Sequence, residues 1–297
     1  MPHSLACLLT PHGALRLEAA EDDIALDASV AERLEAAFRK GDGHGLLQLG
    51  LAEAGSRLPP DLGFWRAFAM RFVAACAKGE GVAEAARPAA PAKEALKTLV
   101  EEAPPMRGGE YLDPGRLAAL WEALAQAFEM ERSESGLSVG AFLASRDSRW
   151  RQVGRVHLNL AENRKDAERP FAFLATYASS LAAHGALRHA PLGAALREYA
   201  GAGANSELLK LLEPVSRAGE SCAWLKAIVD SGEIFHPLRW TPREAMSLLS
   251  DVERALSCAC RPPGVAGGRP GRRSRRRSAR MRPRASAQSD CSISVWM

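Results

Sequence analysis

The sequence predicts an α+β chain, predominantly helical with a few short strands, followed by a disordered arginine-rich carboxy-terminal tail. Three observations carry this. Apolar residues recur at helical spacing through most of residues 28–256, alternating apolar runs occupy only a few short stretches, and the apolar pattern stops after Leu256. With 297 residues and 47 % hydrophobic side chains, the chain has ample material for a core.

Residues 5–18 read as a hairpin turning at Pro11–His12–Gly13. A helix is expected near 28–39, with Val30, Leu34, Ala37 and Phe38 on one face. Gly41, Gly43 and Gly45 are expected to break the chain before a short strand at Leu46–Leu49. Pro59 and Pro60 introduce a helix over about 61–77, striped by Trp65, Phe68, Ala69, Phe72 and Cys76. The Ala, Gly, Pro and Glu text between Lys78 and Pro91 has no apolar period and reads as a flexible linker.

A helix is expected at about 92–102, then a loop from Pro104 to Glu110. Asp113 fits an N-cap, Pro114 the first helical position, and Leu112 can staple against Leu117. The stripe continues through Leu120, Trp121, Leu124 and Phe128. Strands are expected at 153–160 and 171–176, separated by a charged turn from Glu162 to Arg169. In the first, Val156, Leu158 and Leu160 face one way, and Arg155, His157 and Asn159 the other. Helices follow near 191–199, 206–217 and 221–231. Thr241–Pro242–Arg243–Glu244 has the spacing of a capping box, opening a helix whose buried face would use Met246, Leu249, Val252 and Leu256. The expected organisation is a first subdomain at 1–78, a linker at 79–92, a second region at 93–257 and the tail at 258–297.

Charge is segregated. Residues 261–297 hold ten Arg, no Lys and one acid, Asp290, so the tail carries +9 and the preceding body −5. Such a tail cannot bury enough apolar surface to offset the cost of ordering it. Two readings stay open. As a basic arm, Arg272, Arg273, Arg275, Arg276 and Arg277 would bind nucleic-acid phosphates without sequence preference. As the product of a shifted reading frame in a GC-rich gene, it would show this same Arg, Pro, Gly, Ala and Ser text.

Catalytic signatures are missing from the sequence. A nucleotide-hydrolysing motor needs a glycine-rich loop closing on Gly-Lys-Ser/Thr, and no Gly-Lys pair occurs. No apolar strand ends in an acidic pair for magnesium. Cys258 and Cys260 lack a second paired cluster for a metal, and the six irregularly spaced cysteines point to a reducing cytoplasm. His157 and Asn159 fit a solvated or network-forming strand face better than a ligand site. His184 and His189 flank a glycine-containing loop without a nucleophile elbow, and His236 suits a loop or cap. The tryptophans at 65, 121, 150, 224 and 240 fall on apolar stripes and read as packing residues. The least charged stretch, Pro170 to Leu187, is too polar to span a bilayer, so no membrane association is expected.

Several long strings resemble the helicase-associated region of bacterial SWI/SNF-family proteins. They are Ala103–Met106 with Gly109–Leu112, Val153–Asp166, Pro170–Tyr177, and the run from Cys222–Lys226 through Phe235–Trp240 to Ser250–Val252. The resemblance implies a non-catalytic accessory region preceding a two-lobed motor that uses ATP and magnesium to move on double-stranded DNA. The motor domain and DNA are the implied partners. No cofactor is expected in this chain, no catalytic residue carries over, and the chain is expected to leave the family pattern after about residue 256. Whether it is an enzyme by itself is left open, the alternative being a standalone nucleic-acid-binding protein.

Overall fold

The computed structural model describes residues 4–20, 24–53, 55–78, 88–164, 166–201, 212–213, 215–216, 218–220, 222–259 and 291–295. The fold is α+β and predominantly helical, with a few short strands. Two compact units divide it: residues 1–155 with 178–190, and residues 156–177 with 191–297.

The first unit opens with the expected hairpin, β1 (Leu5–Leu9) paired antiparallel with β2 (Leu15–Ala19). Gly13 takes a positive φ of 83° in the turn, which glycine adopts without a Cβ clash. Helices α1 (Ala28–Lys40), α2 (Asp42–Leu51), α3 (Pro60–Lys78), α4 (Lys93–Glu101), α5 (Pro114–Ser135) and α6 (Val139–Arg146) follow. Asp113 caps α5 as its spacing predicts, its carboxylate accepting the Arg116 amide at 2.8 Å. Leu112 and Leu117 are both buried in the core.

One continuous core joins these helices. Edge-to-face rings run from Phe64 and Trp65 through Phe68, Trp121, Phe72 and Phe128 to Phe142, with centroids 5.1–6.2 Å apart. Rings of α3 thus interlock with rings of α5 and α6. The first unit therefore carries residues from both sides of the expected 79–92 linker, and the chain divides instead at β3. Of that linker, 79–87 lie outside the described residues, and Pro88 accepts the Trp121 indole N–H at 3.1 Å.

The strand expected at Leu46–Leu49 is helix α2. Its glycines are packing positions, not breakers. A Cβ on Gly43 would stand 2.1 Å from the Ala123 carbonyl oxygen, and one on Gly45 2.4 Å from the Phe38 ring. Burial of Leu46, Leu47, Leu49 and Leu51 offsets the roughly 1 kcal/mol that each mid-helix glycine costs.

The second unit is built on β3 (Val156–Glu162) and β4 (Phe171–Leu181, which belongs to this unit through Tyr177), paired antiparallel from Val156↔Tyr177 to Glu162↔Phe171. β5 (Leu187–Pro191) follows a turn at Gly185, and its residues to Ala190 lie in the first unit. In the second unit, β6 (Leu238–Trp240) joins β4 antiparallel along Phe171–Phe173. β7 (Cys291–Val295), within the segment expected to be a disordered tail, joins β3 in parallel, while the rest of that segment from 260 on lies outside the described residues. Helices α7 (Leu192–Gly201), α8 (Ala223–Asp230) and α9 (Pro242–Ala259) complete the unit with helical residues within 212–220. Its core gathers Val156, Leu158, Leu160, Phe173, Leu192, Val215, Leu225, Ile234, Trp240, Ala245 and Leu248.

The α9 capping box forms as its spacing predicts. The Thr241 amide donates to Glu244 Oε2 at 2.8 Å, and the Glu244 amide donates to Thr241 Oγ1 at 3.4 Å. The buried face is one position out from the expected stripe. Ala245 and Leu248 are buried, Leu249 is half-buried, and Met246 is 58 % exposed. The cap fixes where the helix starts, and Ala245 and Leu248, three residues apart on one face, join the second unit's core. The side chains of Val252 and Leu256 lie outside the described ones.

Candidate functional site

Residues distant in sequence converge in the second unit on an aromatic cluster. The Phe173 and Trp240 rings stack with centroids 4.3 Å apart and planes 9° apart. Adjacent pairing of β4 and β6 places them, since the ladder sets Phe171 opposite Trp240 and Phe173 opposite Leu238. Trp224, from α8, meets Phe173 edge-on at 6.0 Å and Trp240 at 5.6 Å. Its indole N–H leaves the apolar cluster and donates to Asp251 Oδ2 on α9 at 2.7 Å. Phe173 and Trp240 are buried, and Trp224 is partly exposed.

Beside the cluster lies an open depression of about 700 Å³, lined by Asn163, Asp166, Ala167, Glu168, Ala172, Pro237, Leu238 and Arg239. The 163–170 turn shapes it. The Asn163 amide donates to the Pro170 carbonyl at 2.7 Å, and the Arg169 amide donates to Asp166 Oδ1 at 3.0 Å. The other Asp166 oxygen faces the Arg239 guanidinium at 3.7 Å. The lining mixes apolar Ala167, Ala172, Pro237 and Leu238 with charges of both signs on Asp166, Glu168 and Arg239, a combination that suits contact with another polar surface. Arg239 is 73 % exposed, so its charge remains open to solvent and to a partner.

The polar residues of β3 form a network. Asn159 Nδ2 donates to the Leu174 carbonyl at 3.1 Å and to Thr176 Oγ1 at 2.8 Å, across the ladder to β4. His157 is only 2 % exposed, so this side of the strand is covered, not solvated. In the first unit, His189 lies on β5, where burial pushes its imidazole below the ordinary histidine range, and His184 sits in the β4–β5 turn. The His236 amide donates to the Glu233 carbonyl at 3.0 Å and closes a short helical turn. Trp65, Trp121 and Trp150 are core residues, with the Trp150 indole donating to the Leu51 carbonyl at 3.1 Å. Arg272, Arg273, Arg275, Arg276 and Arg277 lie outside the described residues.

Two charged clusters of the first unit were not legible in the sequence. Glu53, 1 % exposed, accepts Arg33 Nε at 2.9 Å and Nη2 at 3.2 Å, Gln48 Nε2 at 3.0 Å and Ser56 Oγ at 3.1 Å. Four donors saturate this carboxylate, which makes it a structural anchor. Glu131 on α5 bridges His44 Nδ1 of α2 at 2.9 Å and Arg146 Nη2 of α6 at 2.7 Å. Spacings of 87 and 15 residues leave no local signal for either contact. The thiols are also structural. Burial raises Cys7 far above the ordinary range, reinforced by Asp61 and Asp42, and pushes Cys76 up to about 12.

Among the described residues, no group of three or more His, Cys, Asp or Glu side chains could hold a metal ion, and no helix is long and apolar enough to cross a membrane. No family model, no curated protein and no solved structure matches this chain.

Proposed function

We propose that this chain is the non-catalytic amino-terminal accessory region of a bacterial SWI/SNF-type ATP-dependent DNA translocase, acting in the cytoplasm on the motor domain of the full-length protein. One observation supports the reading. The strings that resemble the family, at 153–166, 170–177, 222–226, 235–240 and 250–252, supply both strands of the central ladder and the residues that join them to α8 and α9. From Val156 to Val252 these segments thus compose one physical module, the arrangement expected if the module is the unit of function, while the strings at 103–106, 109–112 and 153–155 lie in the first unit. In this reading the ATP and magnesium belong to the motor, and the mixed-charge depression around Asp166 and Arg239 is the surface offered to the motor or to double-stranded DNA.

The test is the DNA beyond codon 256, read in all three frames. A frame that continues the apolar pattern and reaches a Gly-Lys-Ser/Thr loop is expected. Stops in every frame, or ATP turnover by the purified chain, would overturn the proposal.

The segregated charge favours a second reading, a standalone nucleic-acid-binding protein that uses the ten arginines of 261–297. Its test is a salt titration of duplex-DNA binding by the chain with and without alanine at Arg272, Arg273, Arg275, Arg276 and Arg277. Affinity that is unchanged by the substitutions would remove it.

A further inference from the structure

The outer edge of β3 is open to a partner strand whether or not the translocase reading holds. β3 is paired with β4 along one edge, and its opposite edge would present a row of unmet amides and carbonyls. In the structure Cys291–Val295 fills that edge in parallel, in the register Val156↔Cys291, His157↔Ser292, Leu158↔Ile293, Asn159↔Ser294 and Leu160↔Val295. The segment alternates in step with its host: Cys291, Ile293 and Val295 stand opposite the buried apolar Val156, Leu158 and Leu160, and two serines stand opposite His157 and Asn159. Two successive β-branched residues of this segment's apolar series, Ile293 and Val295, also have high strand propensity.

We propose that the outer edge of β3 is a strand-docking site and that its occupant is this chain's own Cys291–Val295. Main-chain hydrogen bonds supply the attraction, and the matched alternation fixes the register, since a slip by one residue would set serines against the apolar host positions. The occupant belongs to the same chain, so docking is intramolecular, with an effective concentration on the order of millimolar. The two elements that flank the arginine-rich text in sequence, α9 before it and β7 after it, both belong to the second unit.

Hydrogen–deuterium exchange on the intact chain tests this directly. Alternate amides of Ser292–Val295 are expected to exchange at least about 100-fold more slowly than an unstructured peptide, as strand pairing requires. The protection should be the same over an approximately 100-fold range of protein concentration, because intramolecular docking has no concentration dependence. Full exchange of this segment at the unstructured rate overturns the docking, and protection that grows with concentration overturns the intrachain assignment in favour of a second copy. Adjacent strand residues turn their N–H groups to opposite edges, so Ser292→Pro/Ile293→Pro removes a ladder donor under either alternation. In that variant the β3 amides facing the site should exchange about 10-fold faster or more, while those facing β4 keep their protection. Unchanged exchange at β3 counts against the site.

Discussion

The Trp224 indole N–H donates to Asp251 Oδ2 at 2.7 Å, and this one bond ties α8 to α9 over the stacked rings of Phe173 and Trp240. The indole's benzene edge lies in the apolar cluster while its single polar atom reaches the only kind of partner that compensates its desolvation. Trp224→Phe keeps the ring and removes the donor. It is expected to destabilise the second unit by about 1–2 kcal/mol, and Trp224→Ala by about 3 kcal/mol because a cavity is added. Urea unfolding followed by exchange in the β3–β4 peptides checks both, and a Trp224→Phe variant as stable as the native chain would show that the hydrogen bond is not what matters.

Glycines of similar helical context should respond oppositely to alanine. Gly43→Ala drives a methyl to 2.1 Å from the Ala123 carbonyl and must separate α2 from α5, costing about 2–4 kcal/mol. Gly63, inside α3, has nothing within 4 Å of a built Cβ, so Gly63→Ala is expected to stabilise by roughly 0.5–1 kcal/mol. Thermal midpoints of the two variants should move in opposite directions.

The α9 capping box makes stability depend on acid. Hydrogen bonds from the Thr241 amide and hydroxyl hold the Glu244 carboxyl below its ordinary range, with Arg169 adding to the effect. A depressed folded-state pKa contributes stability that is present above the unfolded value, near 4.3, and lost as pH falls through the folded one. Glu244→Gln should therefore lower the melting temperature at pH 6 and converge with the native chain toward pH 3. Thr241→Ala is expected to cost about 1 kcal/mol at neutral pH.

The Glu53 anchor predicts an asymmetric pair of variants. Glu53→Ala deprives Arg33, Gln48 and Ser56 of a common acceptor and is expected to cost about 2–4 kcal/mol. Arg33 is half exposed, and its loss leaves Gln48 and Ser56 bonded, so Arg33→Ala should cost about 1 kcal/mol or less. Chemical denaturation monitored by tryptophan fluorescence distinguishes these outcomes.

Thiol reactivity should follow burial. Cys222 is partly exposed, while Cys7 and Cys76 are buried and their thiols are held protonated. Brief alkylation of the native chain followed by peptide mass analysis should label Cys222 well before Cys7 or Cys76. Comparable labelling of all three would contradict the burial of the first unit's core.

The sequence by itself determined what is set within a few residues. The 11–13 turn, the Asp113 cap on α5, the Thr241–Glu244 box and the aromatic stripe of α3 all appear where their spacing put them, because caps and turns satisfy backbone groups through neighbours in the chain. What depends on an approach between distant segments was decided by tertiary structure. Gly43 and Gly45 read locally as breakers, yet α2 is a helix because its glycines admit Ala123 and Phe38 at contact distances a methyl group would forbid. Ala245, not Met246, lies in the core, and His157 on the polar side of β3 is buried, neither of which local spacing encodes. The candidate site is of this second kind. Each of Phe173, Trp224, Trp240, Asp166, Arg239 and Asp251 is an ordinary residue in its own stretch, and only the pairing of β4 with β6 and the packing of α8 and α9 gather them in one region.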